Sequence, residues 1–304
     1  MGKNDKFTPV RATCAPSRKV FRRLFGIAVM MLLTACVAVP DDPPNPTAET
    51  GPAPSCCSRT ERYPAALVHL VELGAPVIVP IVGSIEFRKG WLESHPVAEA
   101  YIAERLRPLD IVAVVAGGRA SLVPGLFDHV ALYIGDEADM RALGLWDHPA
   151  LRPWRDRLRS EPILVEAHRS GVRVQRLDQV IDVDSVAVLR PALRKAERRE
   201  AVVRALDLVG TPFDFRFDVS TPECLFCTEM VMRAIPQLRV PARRAYGRPT
   251  VLPDEMARMA LLHGSGLSLA SYVTATRMDW RAASPGDLEQ ALETAWRPKK
   301  APSH

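Results

Sequence analysis

The sequence has no paired Cys-x-x-Cys units and no histidines at finger spacing, so a structural zinc site has no ligand set to build on. Its six cysteines, Cys14, Cys36, Cys56, Cys57, Cys224 and Cys227, follow no regular spacing, and a chain of 304 residues needs no disulfide framework to fold. Aromatics make up only 6% of the residues, and none interleaves with the arginine-rich run from 190 to 204. With no nucleic-acid-binding motif either, that run reads as the solvated face of a helix, and nucleic acid is not expected as a partner. No apolar run reaches the roughly 20 residues that a membrane-spanning helix needs. Asp214 and Asp218 lack a third ligand at short spacing, so no metal is expected, and no organic cofactor is implied. What remains is an ordinary globular balance, 47% hydrophobic and 25% charged. The net charge of +5 owes much to the first 23 positions.

Those positions form an address. Arg11, Arg18, Lys19, Arg22 and Arg23 precede the apolar run Leu24 to Leu33, which has the length of a signal-peptide core. It ends in Leu33-Thr34-Ala35-Cys36, which resembles the bacterial lipobox and implies Cys36 as the lipidated new N-terminus. The alternative is an ordinary signal peptide or a buried helix that contains a cysteine. The proline-rich segment that follows, with Pro40, Pro43, Pro44, Pro46, Pro52 and Pro54, cannot build a core and serves as a tether. The expected location is therefore the bacterial envelope, lipid-anchored and facing the periplasm. Val37 is not the aspartate that marks inner-membrane retention in enterobacterial lipoproteins, so the outer membrane is the default. Cys56 and Cys57 are either oxidised partners for other thiols or free.

The expected organisation is a signal peptide over 1–35, a lipidated cysteine and tether over 36–58, and a helical elaboration over 59–106. A catalytic domain over 107–280 and a polar tail over 281–304 complete it. Helices are predicted from Arg62 to Leu73 and from Trp91 to Leu106. Pro80 argues against a central strand in Val77 to Val82. Strands are predicted at Leu109–Gly118, Val130–Ile134, Pro162–His168, Gly171–Arg176 and Val183–Leu189, then a long helix from Ala192 to Val209. Short hairpin-like connections point to an antiparallel sheet packed against helices, an α+β fold. His69 and His95 are read as structural or surface residues.

Cys227 stands where an apolar helix begins, in Phe226-Cys227-Thr228-Glu229-Met230-Val231. The helix dipole and free N–H groups there favour a thiolate, so Cys227 is a candidate nucleophile. His129 enters a strand at its first position, near a sheet edge, where an active site can open; taken alone it reads first as a core histidine satisfied by a hydrogen bond. Glu166 is a carboxylate inside the apolar run Ile163 to Ala167 and needs a partner. Orienting an imidazole would supply one, as would an exposed face or an arginine. His168 shares its face and competes as base or orienting group. Phe213, Phe215 and Phe217 form a strand or a tight loop that packs the cysteine helix. Cys224 and Cys227 make one Cys-x-x-Cys, which leaves a redox pair or a structural disulfide open, although the surrounding pattern is not thioredoxin-like.

Six segments occur in a telling order: Leu109 to Val112, Phe127 to Gly135, Val165 to Ala167, Gly171 to Val174, Gly210 to Asp214 and Phe226 to Val231. Together they resemble the circularly permuted papain-fold proteins of the NlpC/P60 superfamily, in the YaeF/YiiX-like branch, over roughly Leu109 to Thr276. The histidine precedes the cysteine, as permutation requires. The resemblance implies a cysteine amidase or peptidase with Cys227 as nucleophile, His129 as base and Glu166 as third polar residue. It implies an amide- or ester-containing envelope substrate, cell-wall peptide or lipid. A lipid acyl hydrolase or acyltransferase on the same fold, and a non-catalytic ligand-binding lipoprotein, are the alternatives. Leu109 stands where Gly often precedes the Asp, and Asp128 where Ser often precedes the His. Asp128 could raise the pKa of the base beside it.

Overall fold

The computed structural model describes residues 88–117, 125–220, 223–245 and 248–297. The lipobox with Cys36, the tether, Cys56 and Cys57, His69 and the expected helix over 62–73 lie outside them. Among the described residues no helix is long and apolar enough to cross a membrane.

The chain enters through a 3-10 turn, Trp91–Ser94, and helix α1, Pro96–Ala103. Strands β1, Ile111–Val115, and β2, His129–Gly135, follow. Helices α2, Glu137–Leu143, and α3, Arg155–Ser160, lead to the hairpin of β3, Ile163–His168, and β4, Gly171–Arg176. Then come the short α4, Leu177–Val180, β5, Ser185–Pro191, and the long α5, Lys195–Asp207. Helix α6, Cys227–Ala234, is followed by the small ribbon β6, Arg243–Ala245, and β7, Arg248–Thr250. Helix α7, Pro253–Leu261, strands β8, Leu267–Ala275, and β9, Trp280–Ala283, and helix α8, Pro285–Trp296, complete the chain.

The main sheet runs β4-β3-β2-β1-β5-β8-β9, and every neighbouring pair is antiparallel. Alternation along the strands divides the buried side chains between two faces. Val130, Leu132 and Val165 meet Val202 of α5 and Met230 and Val231 of α6 in one core. Ala131, Val112 and Val188 meet Leu92 and Ile102 in a second. The expected antiparallel α+β architecture is therefore present, and the five expected strands all form.

Residues 91–106, expected as part of a helical elaboration, pack on the sheet, with Leu92 and Ile102 fully buried in the second core. One boundary differs from expectation. Residues 281–304 do not begin as a polar tail. Residues 280–283 pair with β8, and α8 follows with Leu288 and Leu292 fully buried. Ser284 caps α8 by accepting from Asp287 N, with Asp287 answering in a capping box and Pro285 at the first turn. Burial of two leucines contributes about 3–6 kcal/mol toward docking this amphipathic helix on the core.

Leu109 takes φ 72, the left-handed region that glycine occupies freely. The strain costs about 1–2 kcal/mol. The leucine side chain is fully buried, and that burial contributes about 1.5–3 kcal/mol. Burial therefore offsets the strain of a leucine at this position.

Leu292→Ala is expected to lower unfolding free energy by about 2–5 kcal/mol, measured by urea denaturation. A loose tail would give a change near zero.

Candidate functional site

Helix α6 begins at Cys227 because Phe226 is extended and the apolar positions Cys227, Met230, Val231 and Ala234 then recur at helical spacing. No side chain caps this helix start. Its first-turn N–H groups therefore stay available beside the sulfur. Phe226 is held by an aromatic cluster: Phe217 meets it at 5.6 Å between centroids, and Phe213 meets Phe215 at 5.0 Å and Phe217 at 5.9 Å. This segment is a tight loop rather than a strand, tied to the chain by one parallel bridge between Phe213 and Leu225. The buried Asp214 carboxylate shapes it by accepting from Arg216 N at 2.8 Å and Asp218 N at 2.7 Å.

His129 is the first residue of β2, at the end of the sheet, and a quarter of its side chain is exposed. Its Nε2 donates to Glu166 Oε2 at 2.9 Å. The Cys227 side chain is the ring's other polar neighbour. Burial pushes the imidazole pKa down, but the hydrogen bonds to Cys227 and Glu166 and their negative charges outweigh it, raising it to about 10. Glu166 is almost fully buried, and burial would push its pKa up. The hydrogen bond and charge of His129, with those of Arg173, win and hold it down at about 2.

The structure thus brings together all three residues expected from the sequence. His168 is not among them. Its Nδ1 faces Ser170 Oγ at 3.2 Å, and burial with the nearby Arg173 charge lowers its pKa to about 4. Asp128 does not tune the base either: its carboxylate accepts from Ala116 N at 2.8 Å, in the gap between β1 and β2. Cys227 is a free thiol, and Cys224 is disulfide-bonded elsewhere, so the two do not form a redox pair.

Two residues that received no role from the sequence support the site. Arg173 grips Glu166 from β4. Asp254, fully buried near the start of α7, accepts from Leu126 N and Phe127 N at 2.8 Å each, just before His129. Trp296 Nε1 of α8 donates to the same carboxylate at 2.7 Å. Burial raises the Asp254 pKa to about 6 despite these three donors. A Cβ at Gly125 would fall 2.3 Å from Asp254 Oδ2, so only glycine lets the loop close onto this carboxylate. The β3–β4 hairpin offered a signal for Arg173, since its two-residue turn sets Arg173 opposite Glu166.

Comparison with known proteins agrees with this geometry. Residues 116–283, more than half of the chain, match the permuted papain-like amidase enzyme family, YaeF/YiiX, C92. The chain belongs to this family. Membership makes it a cysteine-dependent hydrolase of the amidase type, and the family match contains Cys227, His129 and Glu166. No curated protein and no solved structure matches the chain.

The His129 pKa gives a signed expectation. A ring held at about 10 rather than 6.5 contributes stability that is complete below pH 6.5 and is lost as pH rises through about 10. NMR titration of the His129 ring should give a high apparent pKa, and Glu166→Gln should lower it by about one unit or more. A wild-type ring titrating near 6.5 would contradict the arrangement.

Proposed function

We propose that this protein is an envelope-anchored cysteine amidase that cleaves an amide bond, in cell-wall peptide or a related envelope substrate. The observation that carries the reading is one imidazole held between a buried thiol at a helix start and a buried carboxylate. A histidine raised to about 10 is protonated at neutral pH, so the resting site holds an imidazolium beside the Cys227 sulfur.

In the proposed reaction the Cys227 sulfur attacks the amide carbonyl carbon. The carbonyl oxygen becomes an oxyanion, stabilised by the Cys227 backbone N–H at the uncapped start of α6. The tetrahedral intermediate collapses, the C–N bond breaks, and His129 gives its proton to the departing nitrogen. A thioester remains on Cys227. Neutral His129 then takes a proton from water as it attacks that thioester, and collapse releases the carboxylic acid with the sulfur again a thiolate. Glu166 keeps the imidazole oriented and compensates its charge throughout.

The anchor belongs to the same proposal. Cys36 in its lipobox would tether the domain through the proline-rich segment to the membrane, facing the periplasm. The disulfide at Cys224 supports an oxidising compartment, because disulfides persist there and are rare in the cytosol.

Iodoacetamide at mildly acid pH should label Cys227, and His129→Ala should slow the labelling about 10²–10⁴-fold. Incubating the protein with muropeptides and with phospholipids, then weighing the products by mass spectrometry, tests the substrate class. New amine and carboxylic acid termini that Cys227→Ala abolishes support the amidase. Released fatty acid instead would point to the acyl hydrolase, and turnover that survives Cys227→Ala would sink the thiol mechanism.

A further inference from the structure

The Glu166 carboxylate divides its two oxygens between two partners. Oε2 accepts from His129, while Arg173 places Nε at 2.8 Å and Nη2 at 2.7 Å on Oε1. The backbone prescribes this arrangement. In the β3–β4 hairpin His168 pairs with Gly171, so Ala167 pairs with Val172 and Glu166 with Arg173. On the other side Glu166 pairs with Ala131, two residues along β2 from His129. Histidine, glutamate and arginine therefore stand on three successive strands and share one face.

A glutamate has a broad, nearly free terminal torsion, so a lone hydrogen bond to an imidazole leaves its carboxylate able to swing. A guanidinium restricts that freedom, because its planar fork approaches a carboxylate in a fixed geometry that an ammonium does not reproduce. Glu166 is 6% exposed and Arg173 is 38% exposed, so the carboxylate is the buried member and the arginine closes it off from solvent.

We propose that Arg173 is a positioning residue of the hydrolytic site, holding the Glu166 carboxylate so that Oε2 stays on His129 through the reaction. This rests on the reading of Cys227, His129 and Glu166 as the reacting machinery.

The charged and titratable groups around Glu166 are His129 on β2, Arg173 on β4, and His168 and Arg169 within its own hairpin, with Cys227 beyond His129. Burial favours the neutral Glu166, and the two cations His129 and Arg173 keep it charged. Removing the Arg173 charge leaves one cation, so Glu166 takes up its proton at higher pH. Once Glu166 is neutral, the imidazolium loses the partner that orients and charges it, and the reactivity of the Cys227 sulfur that depends on His129 falls. His168 is a bystander to the chemistry, yet the Arg173 charge also holds its pKa down. Its ring therefore reports the same charge independently.

The test is the rate of Cys227 alkylation by iodoacetamide as a function of pH in the full chain, which requires no substrate. Arg173→Gln should move the acid limb up by about one pH unit and slow labelling about tenfold at a pH on that limb. The His168 ring, followed by NMR, should titrate closer to 6.5 in the same variant. Arg173→Lys keeps the charge but not the fork, so it should preserve the position of the acid limb while lowering the plateau rate about threefold or more. An Arg173→Gln profile that superimposes on wild type overturns the proposal. Should that variant fail to fold, Arg173→Lys with unaltered near-ultraviolet circular dichroism carries the test, and a wild-type plateau overturns it. Labelling insensitive to His129→Ala would sink the catalytic reading itself, which separates that failure from a failure specific to Arg173.

Discussion

The site depends on one buried negative charge. Glu166 sits in the middle of an apolar strand where an isolated carboxylate would be costly, and the fold keeps it by supplying a cation on each side. His129 is in turn protonated because it lies between that carboxylate and the Cys227 sulfur. The order is therefore guanidinium, carboxylate, imidazolium and then the Cys227 sulfur, with the first three alternating in sign. Burial makes every member dependent on the adjacent one, and the same geometry makes the burial tolerable.

Backbone pairing sets the spacing of these charges. Three come from consecutive strands in fixed register, and the fourth comes from a helix tip packed across them. The aromatic loop over 213–217 and the Asp214 carboxylate hold that tip. Asp254 holds the opposite approach, the residues leading into His129. Cys227 and His129 are thus positioned from separate parts of the chain, and neither rests on its own side-chain packing alone.

Much of this was legible in the sequence because the strands from 111 to 191 are rich in β-branched residues and bounded by glycine or proline turns. Cys227 was legible from its place at the start of a helix, whereas His129, which alone reads first as a core histidine, took its role from the resemblance in segment order. Strand β8 was not, because Ser268, Ala270 and Ser271 have little strand preference and a register shift at Val188–Leu189 breaks the alternation expected beside it. Helix α8 was masked by its polar composition, although Ser284-Pro285-Gly286-Asp287 carried a helix-start signal. Asp254 could not be found by pattern, since its partners are backbone N–H groups more than a hundred residues away. Asp128 misled for the opposite reason: it is next to His129 in sequence, but successive strand residues point to opposite sides.

The contact between Trp296 and Asp254 has a consequence for the order of assembly. The carboxylate that fixes the entry to β2 receives its third donor from the final turn of α8, so the histidine end of the site is completed by a helix that follows the whole main sheet in the chain. Until that helix docks, Asp254 is a buried acid short of one donor, and the loop it holds is correspondingly less constrained. Cys227 in α6 therefore precedes in the chain the helix that tightens the histidine end, and that end is complete only once α8 has docked.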